Sequence, residues 1–369
     1  MPVPFLDLSF ATDPIRDELA SHIDAILASN AFVNGPQVAA FEAAFAAYTG
    51  SEHCVGLASG LDALRLGLAA LDLEPGDEVI VPAMTFVATW EAVSQVGAVP
   101  VPVDVTDSDY NVDTSAVEAA IGPRTAAIMP VHLYGQMADM DSVAGIAERH
   151  GIAVVEDAAQ AHGAARAERR AGTTGVAGAF SFYPGKNLGA MGDAGALVTN
   201  SAGLAERVRA LREHGQRRKY HHDEIGWTAR VDTLQAAVLL CKLPLLDAWN
   251  EERRAIASVY LERLDQVGDL VLPPVAGESS PVWHVFVVRT SDPDALADHL
   301  RSRGIASGRH YPEPPHLSQA YASLGYAIGR FPVAEAIGRE CLSLPIFPGM
   351  TESQVDEVVE SVTSWFTGG

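Results

Sequence analysis

The sequence predicts an α/β protein whose large domain carries a mostly parallel sheet, followed by a smaller α+β domain. Short apolar runs at residues 53–58, 78–81 and 125–131 have the composition of buried strands, and amphipathic helical stretches separate them. Such alternation is typical of a parallel sheet with helices on both faces. Toward the C-terminus the alternation becomes less regular. We therefore assign residues 1–245 to the large domain and 246–369 to the small domain.

The chain begins with a helical segment that leads into the first strand. Asp13 and Pro14 have the pattern of a helix N-cap followed by a proline at the first helical position. After the first strand, Ser59-Gly60 precedes a helix predicted over 61–71. Free backbone N–H groups and the helix dipole at such a turn bind anions. A plain strand-to-helix turn has the same sequence features and is the alternative.

The middle of the chain supplies further strands and helices of this sheet. Residues 99–103 contain two prolines, which predicts a weak or edge strand. Phe86 lies in a turn before a helix that ends near Gly97, and a core position is the common fate of such a ring. Helices are predicted at 113–121 and 139–150.

The segment that carries the chemistry begins with a buried strand at 152–155. This strand delivers Asp157 at its C-terminal end, where open α/β sheets bind ligands. Lys186 follows in a loop too rich in Gly and Pro to form a helix. The chain contains only three lysines, and an amine can form a Schiff base, which a guanidinium cannot. A solvated loop lysine is the alternative. The pair suits pyridoxal phosphate, which needs a lysine for its aldehyde and an acid beside its ring nitrogen.

The glycine-rich segment 172–178 has the composition of a dinucleotide-binding loop. It follows Ala-Glu-Arg-Arg-Ala rather than a strand, and a strand rather than a helix begins at Phe180. Because a dinucleotide loop joins a strand to a helix, we reject that function for this segment.

A basic loop at 212–222 stands out in an acidic chain. Its adjacent histidines are a weak metal signal, because no other ligand occurs at a fitting spacing, and we predict no bound metal. The loop is either a solvated cationic surface or a site for an anionic substrate. In the small domain we expect one strand at 282–289 and helices at 292–304, 331–341 and 351–366.

Composition argues against several classes of partner. The formal net charge of -22 disfavours binding to nucleic acid or to an anionic membrane. The three cysteines have no pairing pattern, which indicates buried thiols in a reducing compartment. The N-terminus has no signal-peptide pattern, and no apolar run approaches the roughly 20 residues of a membrane span. We therefore expect a cytoplasmic protein that binds neither nucleic acid nor membrane.

Three segments have a distinctive residue order. They are Glu-Asp-Ala-Ala-Gln-Ala-His-Gly at 156–163, Phe-Ser-Phe-Tyr-Pro-Gly-Lys-Asn-Leu-Gly at 180–189 and Gly-Asp-Ala-Gly-Ala at 192–196. In this order they resemble the DegT/DnrJ/EryC1/StrS sugar aminotransferases. The resemblance implies the fold-type I, aspartate aminotransferase-like architecture of pyridoxal phosphate enzymes for the large domain. A branch of that family acting on 3-keto sugars also has a His-Tyr-Pro segment like that at 310–312.

The resemblance also implies roles for individual residues. Lys186 and Asp157 are the implied catalytic residues. The family usually has Thr at the position of Leu61 and Asn at the position of Thr228, so those two contacts to the cofactor phosphate are altered here. The implied cofactor-binding residues are Gly60, Leu61, Phe86, Asp157, Gln160, Ser181, Lys186 and Thr228, and the implied substrate-binding residues are Tyr183, Lys219, Tyr220, His310 and Tyr311.

The activity implied by the resemblance is transamination of a nucleotide-linked keto sugar by a homodimer with shared active sites. The implied substrate is a dTDP-linked 3-keto-6-deoxyhexose, and the implied amino donor is L-glutamate. A 4-keto sugar or cyclitol aminotransferase with the same core residues is one alternative. A non-catalytic regulatory protein with the same fold is the other.

Overall fold

The structure is a computed structural model that describes residues 2–368. Its helices are α1 Ser9–Thr12, α2 Arg16–Ser29, α3 Pro36–Thr49, α4 Gly60–Ala69, α5 Ala88–Gln95, α6 Thr114–Ala120, α7 Met140–His150, α8 Ala202–Leu211, α9 Thr233–Lys242, α10 Leu246–Arg263, α11 Pro293–Ser302, α12 Pro332–Glu340 and α13 Glu352–Thr367. Its strands are β1 His53–Leu57, β2 Glu78–Pro82, β3 Val99–Val103, β4 Thr125–Ile128, β5 Ala153–Asp157, β6 Ala165–Arg166, β7 Arg169–Arg170, β8 Ala177–Ser181, β9 Gly195–Thr199, β10 Gln216–Arg218, β11 His221–His222, β12 Ser279–Ser280, β13 Phe286–Arg289 and β14 Cys341–Leu344.

A seven-stranded sheet forms the centre of the molecule, in the order β1-β9-β8-β5-β4-β2-β3. The pairings from β8 to β3 are all parallel, whereas β9 runs antiparallel to both of its neighbours. The two prolines of β3 stand at the edge of the sheet, as the sequence predicts, because proline has no N–H for a second ladder. The predicted α/β class with a mostly parallel sheet is confirmed.

Helices cover both faces of this sheet and supply its two cores. One face packs against α3, α7 and α9, and its core includes Phe41, Val143 and Leu239. The other face packs against α4, α5 and α8, with Leu64 and Trp90 among its buried residues. Strands buried on both faces read as continuous apolar runs, which is why they are visible in the sequence.

The C-terminal region has a separate apolar cluster. The antiparallel pair β13–β14 packs with α10, α11 and α13 around buried residues such as Tyr260, Phe286 and Val358. The strand predicted at 282–289 is shorter than expected and begins only at Phe286. Among the described residues, no helix has the length and apolar character needed to cross a bilayer.

Candidate active site

A cavity of about 550 Å³ lies at the C-terminal edge of the sheet. The ends of β5 and β8 and the start of α4 form one side of it, and residues of the C-terminal region form the other. It is therefore where open α/β sheets bind ligands. The sequence-predicted site residues that line it are Gly60, Leu61, Phe86, Asp157, Gln160, Ser181, Tyr183, Lys186, His310 and Tyr311.

Asp157 is the buried carboxylate of this cavity, at the last position of β5. Its Oδ2 accepts a hydrogen bond of 2.8 Å from the Thr89 hydroxyl, and its Oδ1 accepts one of 3.1 Å from the backbone N–H of Ala159. The hydroxyls of Thr89 and Thr85 lie 2.8 Å apart. Burial raises the pKa of Asp157, although these hydrogen bonds and the charge of Lys186 act in the opposite direction.

Lys186 is half-buried in the loop that follows β8. Burial lowers the pKa of its amine to about 8, and the charge of Asp157 opposes that shift only in part. Its backbone N–H donates to the Tyr183 carbonyl at 2.8 Å. Further along the loop, the buried Lys242 amine donates to the Gly189 carbonyl at 2.7 Å. The loop backbone is thus bound on both sides of Lys186.

A directional chain of hydrogen bonds fixes Asn187, the residue after Lys186. The Asn187 Nδ2 donates to Asn250 Oδ1 at 2.9 Å and to the Val282 carbonyl at 2.8 Å. Its Oδ1 therefore accepts, and lies 3.2 Å from His284 Nδ1. This arrangement assigns the ring proton of neutral His284 to Nδ1. Burial lowers the pKa of His284 well below its ordinary value.

The N-terminus of α4 offers backbone hydrogen-bond donors to the cavity. Ser59 Oγ accepts the backbone N–H of Asp62 at 3.0 Å, while the N–H groups of the first helical turn have no partner within the helix. A Cβ on Gly60 would lie 2.6 Å from the Cβ of Ser181, so only glycine allows the two elements to approach this closely. The backbone donors, the helix dipole and the Ser181 hydroxyl together suit a phosphate.

Aromatic and amide groups line the space between the N-terminus of α4 and the C-terminal region. Gln160 Oε1 accepts the Tyr134 backbone N–H at 2.6 Å, and its Nε2 donates to the Tyr311 hydroxyl at 3.0 Å. The Tyr311 ring lies 5.4 Å from the exposed ring of Phe86. His310 Nδ1 lies 2.7 Å from Ser343 Oγ, and burial lowers the pKa of its ring to about 4.

The donors and acceptors of this cavity fit pyridoxal phosphate. The α4 terminus offers backbone N–H groups for a phosphate, and Lys186 offers an amine for an aldehyde. In the protein alone, burial outweighs the mutual attraction of Asp157 and Lys186, since the pKa of the acid is raised and that of the amine is lowered. A protonated ring nitrogen beside Asp157 would supply the positive charge that the buried carboxylate lacks.

Three of the predicted residues lie outside this cavity. Thr228 is exposed, with its hydroxyl 3.0 Å from His214 Nε2. Lys219 and Tyr220 belong to the exposed turn between β10 and β11, where the amine lies 5.2 Å from the centre of the neighbouring tyrosine ring. The structure of one chain does not bring these three residues to the cavity.

Residues 13–363 match the profile of the DegT/DnrJ/EryC1/StrS aminotransferase family. The chain belongs to this family. It is therefore an aminotransferase, and the predicted fold-type I architecture is confirmed. The match covers both the central sheet and the C-terminal region, so the family assignment applies to the cavity as a whole.

The family assignment is supported by relatives of full length. The chain is 49% identical over 363 residues to the dTDP-3-amino-3,4,6-trideoxy-alpha-D-glucose transaminase of Streptomyces venezuelae, which covers 98% of this chain and 96% of the relative. It is 46% identical over 357 residues to the UDP-N-acetyl-3-dehydro-alpha-D-glucosamine 3-aminotransferase of Acidithiobacillus ferrooxidans, with 96% of each covered. The crystal structure of S. venezuelae DesV in complex with a ketimine intermediate has a TM-score of 0.96 at 49% identity, covering 99% of this chain and 98% of that one.

Sequence reasoning missed several residues of this candidate site. Thr89 binds Asp157 directly, and Arg253 and His284 line the cavity. Arg253 lies in α10 and donates from Nη1 to the backbone carbonyls of Trp283 and Ile346 at 3.1 and 2.8 Å. No local motif marks these residues, because packing alone brings them to the cavity. An arginine on the buried face of a helix was the one available signal.

The glycine-rich segment rejected as a dinucleotide loop binds a side chain of its own chain. The backbone N–H groups of Gly172, Thr174 and Gly175 donate to the carboxylate of Glu156 at 2.9, 2.6 and 2.6 Å. His132 Nδ1 accepts from the backbone, so its Nε2 carries the proton and donates to Glu156 Oε2 at 2.8 Å. The fully buried carboxylate of Glu156, the residue before Asp157, thereby accepts four hydrogen bonds.

The absence of a bound metal stays a prediction. Glu18, His22 and Cys241 each place one ligand atom within 4.8 Å of the others, away from the cavity. Burial and the neighbouring Glu18 raise the pKa of the Cys241 thiol to about 11. A metal would need the thiolate, which this environment disfavours.

Proposed function

We propose that this aminotransferase transfers the amino group of L-glutamate to a dTDP-linked 3-keto-6-deoxyhexose, with pyridoxal phosphate as cofactor. The observation that carries the proposal is one cavity that joins the Lys186 amine, the buried Asp157 carboxylate and the N-terminal end of α4. Similarity over nearly the full length to the S. venezuelae dTDP-sugar transaminase supports this substrate class.

Each protein group has a defined task toward the cofactor. When bound, pyridoxal phosphate supplies an aromatic ring that accepts electrons from the carbon bearing the amine. Asp157 would hold a proton on the ring nitrogen, and Gln160 Nε2 would donate to the ring hydroxyl oxygen. Phe86 would pack on the ring face. The first turn of α4 and the Ser181 hydroxyl would bind the phosphate, with Leu61 contributing only its backbone.

Lys186 moves the proton that transamination requires. With glutamate bound, its amine would take a proton from the amine-bearing carbon and deliver it to the cofactor; with the keto sugar bound, it would carry a proton back from the cofactor to the sugar carbon that receives the amine. A pKa near 8 leaves a substantial neutral fraction at physiological pH, so the amine can act as a base without a large pH change. Its burial therefore contributes directly to its reactivity.

The sugar side of the cavity is formed by aromatic residues. Tyr183 is 60% exposed, and at the rim its hydroxyl is free to contact the sugar. His310 and Tyr311 approach from the C-terminal region, on the opposite side of Lys186. These three residues are the proposed contacts to the sugar ring. The division of the chain near residue 245 places two of them in the proposed small domain.

We infer that the enzyme works as a homodimer in which each chain completes its partner's site. The hairpin of β10 and β11 carries Lys219 and exposes 79% of Tyr220, and the nearby Ile225 is 91% exposed. Exposed large apolar side chains beside basic residues suit a surface that another subunit covers. Lys219, Tyr220 and Thr228 would then reach the partner's cavity, where the diphosphate of the substrate needs positive charge.

The substrate proposal is tested by a screen with purified protein. Keto-sugar nucleotides that differ in base and in keto position are incubated with enzyme and L-glutamate, and 2-oxoglutarate is measured. The expected result is a preference for the dTDP-linked 3-keto-6-deoxyhexose. A higher kcat/KM for a 4-keto sugar, a cyclitol or a UDP-linked sugar would replace the proposed substrate and leave the family assignment intact.

The shared-site proposal is tested by complementation. A Lys186→Ala chain is mixed with a chain carrying Lys219→Ala and Thr228→Ala, under conditions that allow subunit exchange. A heterodimer should recover activity, since one subunit supplies Lys186 and the other supplies the hairpin for the same site. If heterodimers form and activity does not recover, the hairpin serves its own subunit. Mixing Lys186→Ala with itself is the matched control.

A further inference from the structure

A segment near the N-terminus of the chain crosses one wall of the cavity. We call residues 4–8 the N-terminal strap. Before the strap, Val3 is buried and joins the C-terminal region, where its backbone N–H donates to the Gly304 carbonyl at 2.9 Å. After the strap, Phe10 of α1 packs edge-on against Trp249 of α10, with 5.3 Å between the ring centres. The strap is therefore held at both of its ends.

Two side chains of the strap, Phe5 and Leu6, line the cavity. The Phe5 ring stacks on the ring of His310, with 5.6 Å between their centres and 18° between their planes. A Cβ on Gly185 would lie 3.4 Å from Leu6 Cδ2 and 3.6 Å from Tyr183 Cε1, so Leu6 packs against the loop that carries the reacting amine. Because His310 and Tyr183 are proposed sugar contacts, the strap lies on the sugar side of the cavity.

The strap presents an apolar surface between these polar contacts. Phe5 packs against a buried apolar cluster that includes Val285, another residue of the cavity wall. Leu6 is half-buried, and its side chain has no hydrogen-bonding group. A hydroxyl placed against this surface would lose its hydrogen bonds to water and gain none, whereas a methyl placed there is stabilised by burial. The wall therefore favours a part of the substrate that carries no hydroxyl.

We propose that Leu6 binds the methyl group at carbon 6 of the acceptor sugar and selects 6-deoxy sugars over 6-hydroxy sugars. This inference rests on the proposed function and deepens it by assigning one residue to one substituent of the sugar. The methyl is the one apolar substituent of the proposed acceptor, whose other substituents are a ketone, hydroxyls and the diphosphate linkage. Only two ring carbons separate it from the reacting carbon 3, so it must lie near Lys186. Leu6, against the loop of Lys186, meets both conditions.

Phe5 serves this selection through His310. The His310 ring is covered on one face by Phe5, and its Nδ1 lies 2.7 Å from Ser343 Oγ. The ring is thus fixed by a stacking contact and by a hydrogen bond at its edge. Since Phe5 and Leu6 are consecutive residues of one strap, the polar contact at His310 and the apolar contact at Leu6 keep a constant spacing. A constant spacing lets the site distinguish one substituent of the sugar from another.

The test compares two acceptors that differ by one oxygen atom. The cofactor-loaded enzyme is supplied with L-glutamate and either dTDP-3-keto-6-deoxyglucose or its 6-hydroxy counterpart, and kcat/KM is measured for each sugar. We expect a ratio of about 10–100 in favour of the 6-deoxy sugar, the range in which an apolar pocket discriminates against an added hydroxyl. The two corresponding 3-amino products, titrated into the enzyme by calorimetry, should bind in the same order.

Leu6→Asn removes the apolar contact at nearly constant volume, and its amide can bind a hydroxyl. The ratio should fall to about one, because the 6-hydroxy sugar is no longer penalised. General damage to the site lowers both rates and leaves the ratio unchanged, so the ratio isolates the contact at carbon 6. Leu6→Met stays apolar and should keep the ratio. Leu8→Asn is the matched control, since Leu8 belongs to the same strap, is 39% exposed and is not among the cavity residues.

Equal use of both sugars by the unaltered enzyme would overturn the proposal, and this measurement does not depend on the folding of any variant. An unchanged ratio in Leu6→Asn, or an equal change in Leu8→Asn, would overturn it as well. If the enzyme prefers a 4-keto sugar, the same ratio is taken between the 6-deoxy and 6-hydroxy forms of that sugar. The proposed function fails, independently of the strap, if L-glutamate changes the absorbance of no bound cofactor.

Discussion

Glu156→Gln is the substitution whose effect on stability follows most directly from the structure. The carboxylate accepts four hydrogen bonds, from His132 and from the backbone of Gly172, Thr174 and Gly175. A glutamine oxygen can keep the two bonds at 2.6 Å. Its NH₂ group would face the N–H groups of Gly172 and His132, which are both donors.

The expected loss in free energy of unfolding is about 3–5 kcal/mol. Two hydrogen bonds to a charged acceptor contribute roughly 1.5–3 kcal/mol each, and relief from burying the charge offsets part of that sum. His132 cannot adapt freely, because a change of tautomer would lose its 3.2 Å bond from the Ala138 N–H. Urea unfolding of cofactor-free protein, followed by far-ultraviolet circular dichroism at pH 7, measures the difference.

Glu78→Gln is the matched control, since Glu78 begins β2 of the same sheet and pairs with the exposed Arg124. Its loss should stay below about 1 kcal/mol. Burial alone would raise the pKa of Glu156, but the bonds from His132 and from the backbone of Gly175 and Gly172 lower it below 4.5. Its contribution is therefore complete above pH 4.5 and disappears as the pH falls through the lowered pKa. A loss equal to the control, or one that grows on acidification, would refute this account.

Three predictions concern the reacting groups. Lys186→Arg should keep the charge but form no covalent link to the cofactor, and borohydride should fix the cofactor to the Lys186 peptide of the unaltered protein; label on Lys219 or Lys242 contradicts the assignment. Asp157→Asn should slow the glutamate half-reaction by roughly 10²–10⁴-fold, and an unimpaired half-reaction would give Asp157 another role. Cofactor incorporation into cofactor-free protein needs the neutral amine of Lys186, so its rate should rise with pH and level off above about 8, as read by absorbance. A rate that is still rising at pH 10 would show that the amine is not perturbed.

The sequence predicts the sheet and singles out Asp157 and Lys186, which line one cavity, because their signals are local. The two prolines of β3 mark an edge, and Asp157 follows an apolar run that ends at the ligand-binding edge. The scarcity of lysine singles out Lys186 in the same way. These local signals agree with the structure because the sheet and its connecting loop position the residues without contacts from distant segments.

The parts that the sequence did not predict depend on distant contacts. The strand expected from residue 282 begins at Phe286, since Trp283 adopts φ +47° and the carbonyls of Trp283 and His284 bind Arg253 instead of another strand. The helix expected to begin at Asp13-Pro14 begins at Arg16 instead, with no side-chain cap. Thr89, Arg253 and His284 reach the cavity from three separate segments. The secondary-structure propensity of a segment does not indicate which distant segments it will contact.

The hydrogen bonds to the backbone around Lys186 restrict the volume in which its amine can move. Buried Asn187 is bound to α10 and to the Val282 carbonyl, and Gly189 is bound by Lys242. In the proposed mechanism the amine would leave the cofactor and return in every turnover while its main chain stays bound to these partners. Rotation about the side-chain bonds would then be its main freedom, so the detached amine would sample a small volume beside the carbon that it must reprotonate. A loop held in this way would give the amine a high effective concentration at its target, which would be an entropic contribution to the rate.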